Sequence, residues 1–378
     1  MPGIYLHIPF CKQACHYCNF HFSTSLKYKG EVVEAMLREL ELQRDYLPAE
    51  PLTSIYFGGG TPSLLSGAEL ERLFEQINRL WSVAPDAEIT LEANPDDLSK
   101  EKVAELHDSP VNRLSIGIQS FSEEDLQFMN RAHNAREARQ CLEWAVAAGF
   151  KQLTADLIYG SPTTSDAQWR ENIRILTDYG IPHLSCYCLT VEPRTALAHF
   201  VEKGKVSPVD EEQAARQFDI LIDELDLAGY EHYEISNFAK PGFYARHNSS
   251  YWLGEPYLGV GPSAHSYDGR SRQWNVANNA KYLRALQSDA GRSDLEGSLF
   301  EKEMLTPAQR YDEYVLTRLR TRWGCRSEDL EEPFRTHFTE KVREWVESGD
   351  ILLRDGVYTL SRSGKLLADR ISMELFYD

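Results

Sequence analysis

The chain has 378 residues, and its 40 Lys plus Arg against 58 Asp plus Glu give a formal net charge of −18. A surface so acidic repels a phosphate backbone, which argues against nucleic acid as a partner. The 42% hydrophobic and 26% charged residues exclude disorder and fibre, and the length suits a large core with a second, smaller domain. The first ten residues, MPGIYLHIPF, lack a basic stretch leading into an apolar run. Nowhere is there the ~20-residue apolar segment of a bilayer span, so the expected location is the cytoplasm.

In chain order, β-rich runs at 4–8, 54–57, 88–91, 113–118, 152–158 and 183–189 alternate with amphipathic stretches at 31–47, 67–81, 100–107, 135–148 and 166–179. Such alternation predicts a parallel sheet of six βα units. The unusual residues fall at the C-terminal ends of the strands. A cysteine loop follows the first, Gly58-Gly59-Gly60-Thr61-Pro62 the second, Glu92-Ala93-Asn94-Pro95 the third and Gln119-Ser120-Phe121 the fourth; Asp156 lies near the end of the fifth. In a βα barrel the loops converge at that rim over a packed interior, so one face of a barrel or partial barrel is expected to carry the chemistry.

From about residue 207 the pattern changes to a helix at 210–228, a strand-like run at 230–235, and a loop region rich in Gly, Pro and aromatics up to Trp274. The polar stretch 287–297 reads as a linker. Residues 306–378 give helices and then two apolar runs joined at Asp355-Gly356, a hairpin signal that suggests a winged helix. That segment holds 12 Lys plus Arg and 14 Asp plus Glu, a net −2 with no basic stripe, so a structural or protein-contact role is expected rather than DNA binding. The division expected is 1–205, 206–290 and 300–378.

Seven cysteines are too few for a disulfide scaffold of this length. Cys11, Cys15 and Cys18 form C-x3-C-x2-C, while Cys141, Cys186, Cys188 and Cys325 are scattered, which points to a reduced compartment and one metal site. Thiolates suit zinc, Cu(I) or iron–sulfur clusters. Structural zinc needs four ligands, and recruiting His16 or His21 would crowd the same loop. A cubane held by three cysteines leaves one iron open to a chelating small molecule, and the spacing fits that case better. Cys186 and Cys188 alternate on a strand, face one side, and read with Cys141 and Cys325 as buried small hydrophobes.

The C-x3-C-x2-C run with Tyr17 before its last cysteine resembles the cluster loop of the radical S-adenosylmethionine (SAM) superfamily. With Tyr5-Leu6-His7-Ile8-Pro9-Phe10, the glycine run 58–62, Gly117-Ile118-Gln119-Ser120-Phe121 and Asp156-Leu157-Ile158-Tyr159-Gly160, it resembles a narrower branch. That branch contains the oxygen-independent coproporphyrinogen III oxidases and the HemW-type heme chaperones. The resemblance implies an α/β fold, a partial (β/α)6-type TIM barrel of the radical SAM type with a small C-terminal winged-helix-like α+β domain. It also implies a 4Fe-4S cluster on Cys11, Cys15 and Cys18 and SAM on the open iron. Gly59, Gly60 and Thr61 would approach the methionine moiety, Glu92 and Arg131 would meet its charges, Gln119 and Asp156 would bond SAM, and Tyr5 would position the sulfonium. Against these stand plainer readings, a structural Glu92–Arg131 ion pair and an ordinary βα turn at the glycines.

Two readings compete within the branch. In the oxidase, SAM cleavage yields a radical that abstracts hydrogen from the propionates of coproporphyrinogen III, which lose CO2. The chaperone binds finished heme and hands it to acceptor proteins. The oxidases carry a fourth cysteine where this chain has Phe20, and an N-terminal extension ahead of the loop, whereas here Cys11 comes almost at once. His247-Asn248-Ser249-Ser250-Tyr251-Trp252 reproduces the H-N-x-x-Y-W element of the chaperones. A neutral His247 can ligate heme iron while Tyr251 and Trp252 pack the porphyrin; the alternative is a hydrogen-bonded loop histidine. His265 is a second candidate ligand, and Arg246, Arg270 and Arg272 are candidates for the propionates. The resemblance further implies a homodimer and delivery of heme to membrane respiratory proteins, with transient membrane association through that acceptor.

Overall fold

The computed structural model describes residues 2–287, 291 and 295–377. Twelve strands form one sheet: β1 (Gly3–Ile8), β2 (Leu52–Gly59), β3 (Val83–Ala93), β4 (Arg113–Gln119), β5 (Gln152–Tyr159), β6 (His183–Cys188), β7 (Glu231–Glu234), β8 (Asn237–Ala239), β9 (Tyr257–Val260), β10 (His265–Tyr267), β11 (Ser271–Asn275) and β12 (Phe300–Met304). Their spatial order is β12-β11-β10-β9-β1-β2-β3-β4-β5-β6-β8-β7. The run from β9 through β1 to β6 is parallel, and the strands on either flank are antiparallel. With β12 and β7 as its two edges, the sheet is an open, partial barrel flanked by helices.

Alternation along the strands explains the two faces. Ile4, Leu6 and Ile8 of β1, and Ile55 and Phe57 of β2, are buried in the main core, whereas Tyr5, His7 and Tyr56 line an interior cavity. The period of two sends the apolar set under the helices and the polar and aromatic set inward. Helix boundaries follow local capping. The helix Gly67–Leu80 starts at Ser66, whose hydroxyl accepts from Glu69 N while Glu69 returns a bond to Ser66 N, and it buries Leu70, Leu73, Phe74 and Ile77 along one stripe. Asn134 with Glu137, and Ser165 with Gln168, repeat the device. The first helix ends at Leu42 rather than 47, because Tyr46 and Leu47 reach the core from a turn closed by Tyr46 N to Gln43 O at 2.8 Å.

The region up to Trp274 that reads as loop in the sequence contains strands β8 to β11 and the helix Arg246–Trp252. These strands are three to five residues long, too short for hydrophobic alternation to register. Of the expected linker, residues 288–290 and 292–294 lie outside the described residues, and Leu295 is buried in the main core.

Glu39, on the helix Lys29–Leu42, pins the far side of the sheet. Fully buried, it accepts from Tyr282 Oη at 2.6 Å, Asn275 Nδ2 at 2.6 Å and Gly261 N at 2.8 Å. Burial outweighs these three donors and pushes its pKa up to about 7. An unfolded glutamate titrates near ~4.3, so the folded chain holds the proton longer. Stability from this group is complete below that value and is lost as pH rises towards 7. The stability of Glu39→Gln relative to wild type should therefore improve between pH 4 and 7 in urea melts, and a pH-independent difference would contradict this sign.

The C-terminal module has its own core, including Val315, Phe338, Ile351, Leu360 and Ile371. Helices Pro307–Leu319 and Phe334–Glu347 pack on a three-stranded sheet of β13 (Cys325–Arg326), β14 (Ile351–Arg354) and β15 (Val357–Leu360), ordered β13-β15-β14. Asp355 and Gly356 both take positive φ, 50° and 77°, as the two-residue turn of a twisted hairpin requires. Arg362 ties the module to Asp219 at 2.6 Å, and Arg320 ties it to Glu234 at 3.3 Å. No helix among the described residues is long and apolar enough to cross a membrane.

Candidate functional site

The cysteine loop sits at the C-terminal end of β1 and is held from two sides. Cys11 N donates to Ser23 O at 3.1 Å, Asn130 Nδ2 donates to Ala14 O at 2.7 Å, and Gln13 Nε2 donates to Asn130 O at 2.9 Å. The three thiols are close enough to repel one another as thiolates. Burial pushes Cys11 up to about 11, with Cys18 and Cys15 adding to the rise, and burial also raises Cys18. Among the described residues no three Cys, His, Asp or Glu side chains converge as ligands of a single ion. His16 is bonded to Phe128 O at 2.9 Å and His21 to Asn279 Oδ1 at 2.7 Å. Three thiols in one loop whose two histidines are already bonded elsewhere fit a cubane, in which each thiolate takes a different iron.

Around the loop stand the residues expected to meet SAM. Gly60 runs so close to β1 that a Cβ would lie 2.6 Å from both Ile8 O and Phe10 O, so no side chain fits there. Thr61 is buried, accepts from Asn94 Nδ2 at 3.1 Å, and its side chain partly offsets the rise of the Cys11 thiol's pKa. Glu92 accepts from Tyr56 Oη at 2.7 Å and Gly59 N at 3.0 Å; burial still holds its pKa above the usual range. Arg131 donates to Cys15 Sγ at 3.2 Å, Asn94 Oδ1 at 2.8 Å and Gly117 O at 2.7 Å. Glu92 and Arg131 therefore have separate partners, and the simple ion pair between them does not form.

Two orphaned atoms point to an absent ligand. Gln119 Oε1 and Arg131 Nε are buried with no hydrogen-bond partner among the described residues, a costly state for polar atoms that a zwitterionic ligand relieves. Gln119 also holds φ at 65°, strained for a residue with a Cβ, at an irregularity between β4 and β5. Asp156 is pushed up to about 7, first by burial and then by Glu92. These observations fit a SAM site, with Arg131 also positioned to steady the cysteine loop.

A cavity of about 770 Å3 runs beneath, within the ~300–1,000 Å3 of cofactor sites. Asn19, Phe20 and His21 line it at the rim, and Tyr5, Tyr56 and Glu92 line its middle. His247 lies at the floor, beside Gly3 at the start of β1, some five strand residues or roughly 16 Å below the rim. A Cβ on Gly3 would come within 2.5 Å of Ser54 Oγ and 3.3 Å of His247 Nδ1. The His247 ring lies over Tyr56 at 4.9 Å, and its Nδ1 is 2.9 Å from Ser54 Oγ. Burial lowers its pKa to about 4, so it is neutral at physiological pH. When Nδ1 donates to Ser54, Nε2 carries the lone pair that a metal-bound imidazole needs.

Tyr251, Trp252 and His265 also line the cavity. Of the three arginines near that element, only Arg272 does; Arg246 turns outward to Asp86. Sequence reasoning missed Ser54, Tyr56 and Glu88, which fix His247 and Glu92, and Arg320, which reaches the cavity from the C-terminal module. The one available signal was polar residues at alternate positions on apolar strands. Cys141, Cys186 and Cys325 are buried in the two cores and Cys188 packs against the first, as small hydrophobes.

A model of the Radical SAM superfamily matches residues 5–176, a superfamily that implies a 4Fe-4S cluster and SAM. Beyond that segment, the chain is 35% identical over 373 residues to a protein of Mycobacterium tuberculosis named Heme chaperone HemW, covering 98% of this chain and 93% of the relative. It is 32% identical over 383 residues to the Heme chaperone HemW of Bacillus subtilis, covering 98% of each. Its fold matches that of coproporphyrinogen III oxidase (HemN) from Escherichia coli with a TM-score of 0.83 and 21% identity, over 99% of this chain and 90% of that one. The oxidase likeness establishes the architecture; the likeness to the chaperones is stronger in sequence and continues through the C-terminal module. On that near full-length similarity, the chain belongs to the radical SAM superfamily and, within it, to the HemW family.

Proposed function

We propose that this protein is a heme chaperone that holds a 4Fe-4S cluster on Cys11, Cys15 and Cys18, SAM at the rim, and heme in the cavity below with His247 as its axial ligand. The observation that carries this reading is the continuity of one cavity from the cysteine loop to a neutral imidazole at the floor. When bound, the cluster and SAM together supply one-electron chemistry. Gly59, Gly60 and Thr61 give backbone access at the rim, Glu92 and Asp156 offer acceptors, and Gln119 and Arg131 bring the buried atoms that lack partners. Ser54 holds the His247 ring at Nδ1, and Nε2 is free to ligate when Nδ1 carries the proton, while Tyr251 and Trp252 give an apolar wall against which a porphyrin can stack.

Phe20 at the cavity mouth, 68% exposed, stands where the oxidases carry a further cysteine, which favours the carrier over the decarboxylase. The acceptor of this reading is a heme protein, a membrane respiratory one in the family's pattern, reached from the cytoplasm, where thiols stay reduced. A homodimer is part of the same reading. One experiment tests it: heme is titrated into reconstituted protein alongside an assay with SAM, reductant and coproporphyrinogen III. A Soret band that weakens strongly in His247→Ala, with no protoporphyrinogen IX formed, is expected. Multiple turnover to protoporphyrinogen IX would reverse the assignment in favour of the oxidase, and an unchanged spectrum in His247→Ala would reject that ligand.

A further inference from the structure

The floor of the cavity carries two cations that the heme-binding element itself does not contain. Arg272, on β11, has Nε bonded to Glu313 of the C-terminal module, and its Nη1 lies 3.5 Å from Tyr257 Oη. Arg320, from the C-terminal module, has Nε 3.3 Å from Glu234 of β7, and its guanidinium lies 5.4 Å over the ring of Trp252. Both line the cavity, with side chains 23% and 21% exposed. Between them runs an aromatic series, Trp252 against Tyr251 at 5.1 Å and Tyr251 against Tyr257 at 5.6 Å. Two arginines thus bracket an aromatic wall.

Each guanidinium is oriented by a carboxylate from the other module, and Arg320 Nη1 also bonds Asp369 of its own module at 3.0 Å, yet neither is fully used. Nη2 of Arg272 and Nη2 of Arg320 make no hydrogen bond among the described residues. Arginine carries five N–H donors in a planar fork suited to a carboxylate. A ligand that answers all these features at once has a flat apolar ring for the wall and two anionic arms for the arginines. A porphyrin with two propionates has that form.

Resting on the heme reading above, we propose that Arg272 and Arg320 bind the two propionates of the bound tetrapyrrole, one arginine from each module, and so make the site selective for a dianionic porphyrin. The carboxylates of Glu313 and Glu234 keep the two guanidinium groups in place before the ligand arrives. The C-terminal module is then part of the binding site, since one of the two anchors belongs to it.

The test compares heme with heme dimethyl ester, whose propionates are neutral, in equilibrium titrations of the full-length reconstituted protein followed by the Soret band. Each lost charge-assisted contact weakens binding by about tenfold or more, so wild type should bind heme at least tenfold more tightly than the ester. Arg272→Gln and Arg320→Gln should each shrink that ratio, and the double variant should bring it close to one. Because the ratio is taken within each protein, a general loss of folding does not mimic the result. Equal binding of heme and ester by wild type would overturn the proposal and leave the heme reading intact. Failure of wild type to bind either would overturn both.

Discussion

In anaerobically reconstituted protein, Cys15→Ala is expected to lose its iron entirely, from about four atoms per chain to a trace, with the charge-transfer absorption lost in parallel. Cys15 is the thiol that Arg131 contacts at 3.2 Å, so its thiolate has a cation already in place. Cys11, pushed up to about 11 mainly by burial, stays protonated at neutral pH until a metal displaces the proton. Ligand binding and proton release are therefore coupled, and the two remaining thiols cannot complete three corners, because His16 and His21 of the same loop are already bonded to Phe128 O and Asn279 Oδ1. Cys186→Ala, which removes a buried core sulfur, should keep the full iron content. One zinc per chain, or iron retained in Cys15→Ala, would defeat the assignment of the cluster loop.

Legibility in the sequence depended on how local each signal was. The six parallel strands and the helices at 67–80, 135–147 and 166–178 were readable because apolar strand runs and amphipathic periodicity leave short-range patterns. The cysteine loop and the glycine turn were readable because close spacing is their chemistry. What was not readable depends on pairing between distant segments. Strands β9 to β12 are short and owe their existence to neighbours, β9 joining β1 across some 250 residues of chain. The position of His247 was hidden for the same reason: Ser54, Tyr56 and Glu88 each look like an ordinary strand residue until β2, β3 and the helix Arg246–Trp252 come together. Arg320 could not be found at all, because it belongs to another module and meets the cavity through contacts with Glu234 and Trp252, far from it in sequence.

Glu88 turns this packing into a measurable link between stability and heme binding. Its two carboxylate oxygens accept from His247 N at 2.9 Å and Arg246 N at 2.8 Å, capping the helix that carries His247, Tyr251 and Trp252. It also lies 3.7 Å from Arg113, whose side chain is 1% exposed and has Thr154 Oγ1 at 2.8 Å as its nearest neutral partner. Glu88→Ala leaves a buried guanidinium without its carboxylate and two helix N–H groups without an acceptor, a loss of about 3–5 kcal/mol. The urea midpoint should fall accordingly. The heme titration should weaken even at temperatures where the variant is folded, because the backbone of His247 has lost its anchor. Glu88→Gln keeps one acceptor and the shape but not the charge, so it should recover most of the heme binding while remaining less stable than wild type. His247→Ala is expected to show the reverse, lost Soret intensity with a smaller stability change, since it removes the proposed ligand and leaves the ion pair intact. If Glu88→Ala and Glu88→Gln instead lost heme binding only in proportion to the unfolded fraction, Glu88 would be a stabilising residue alone and not a positioning one.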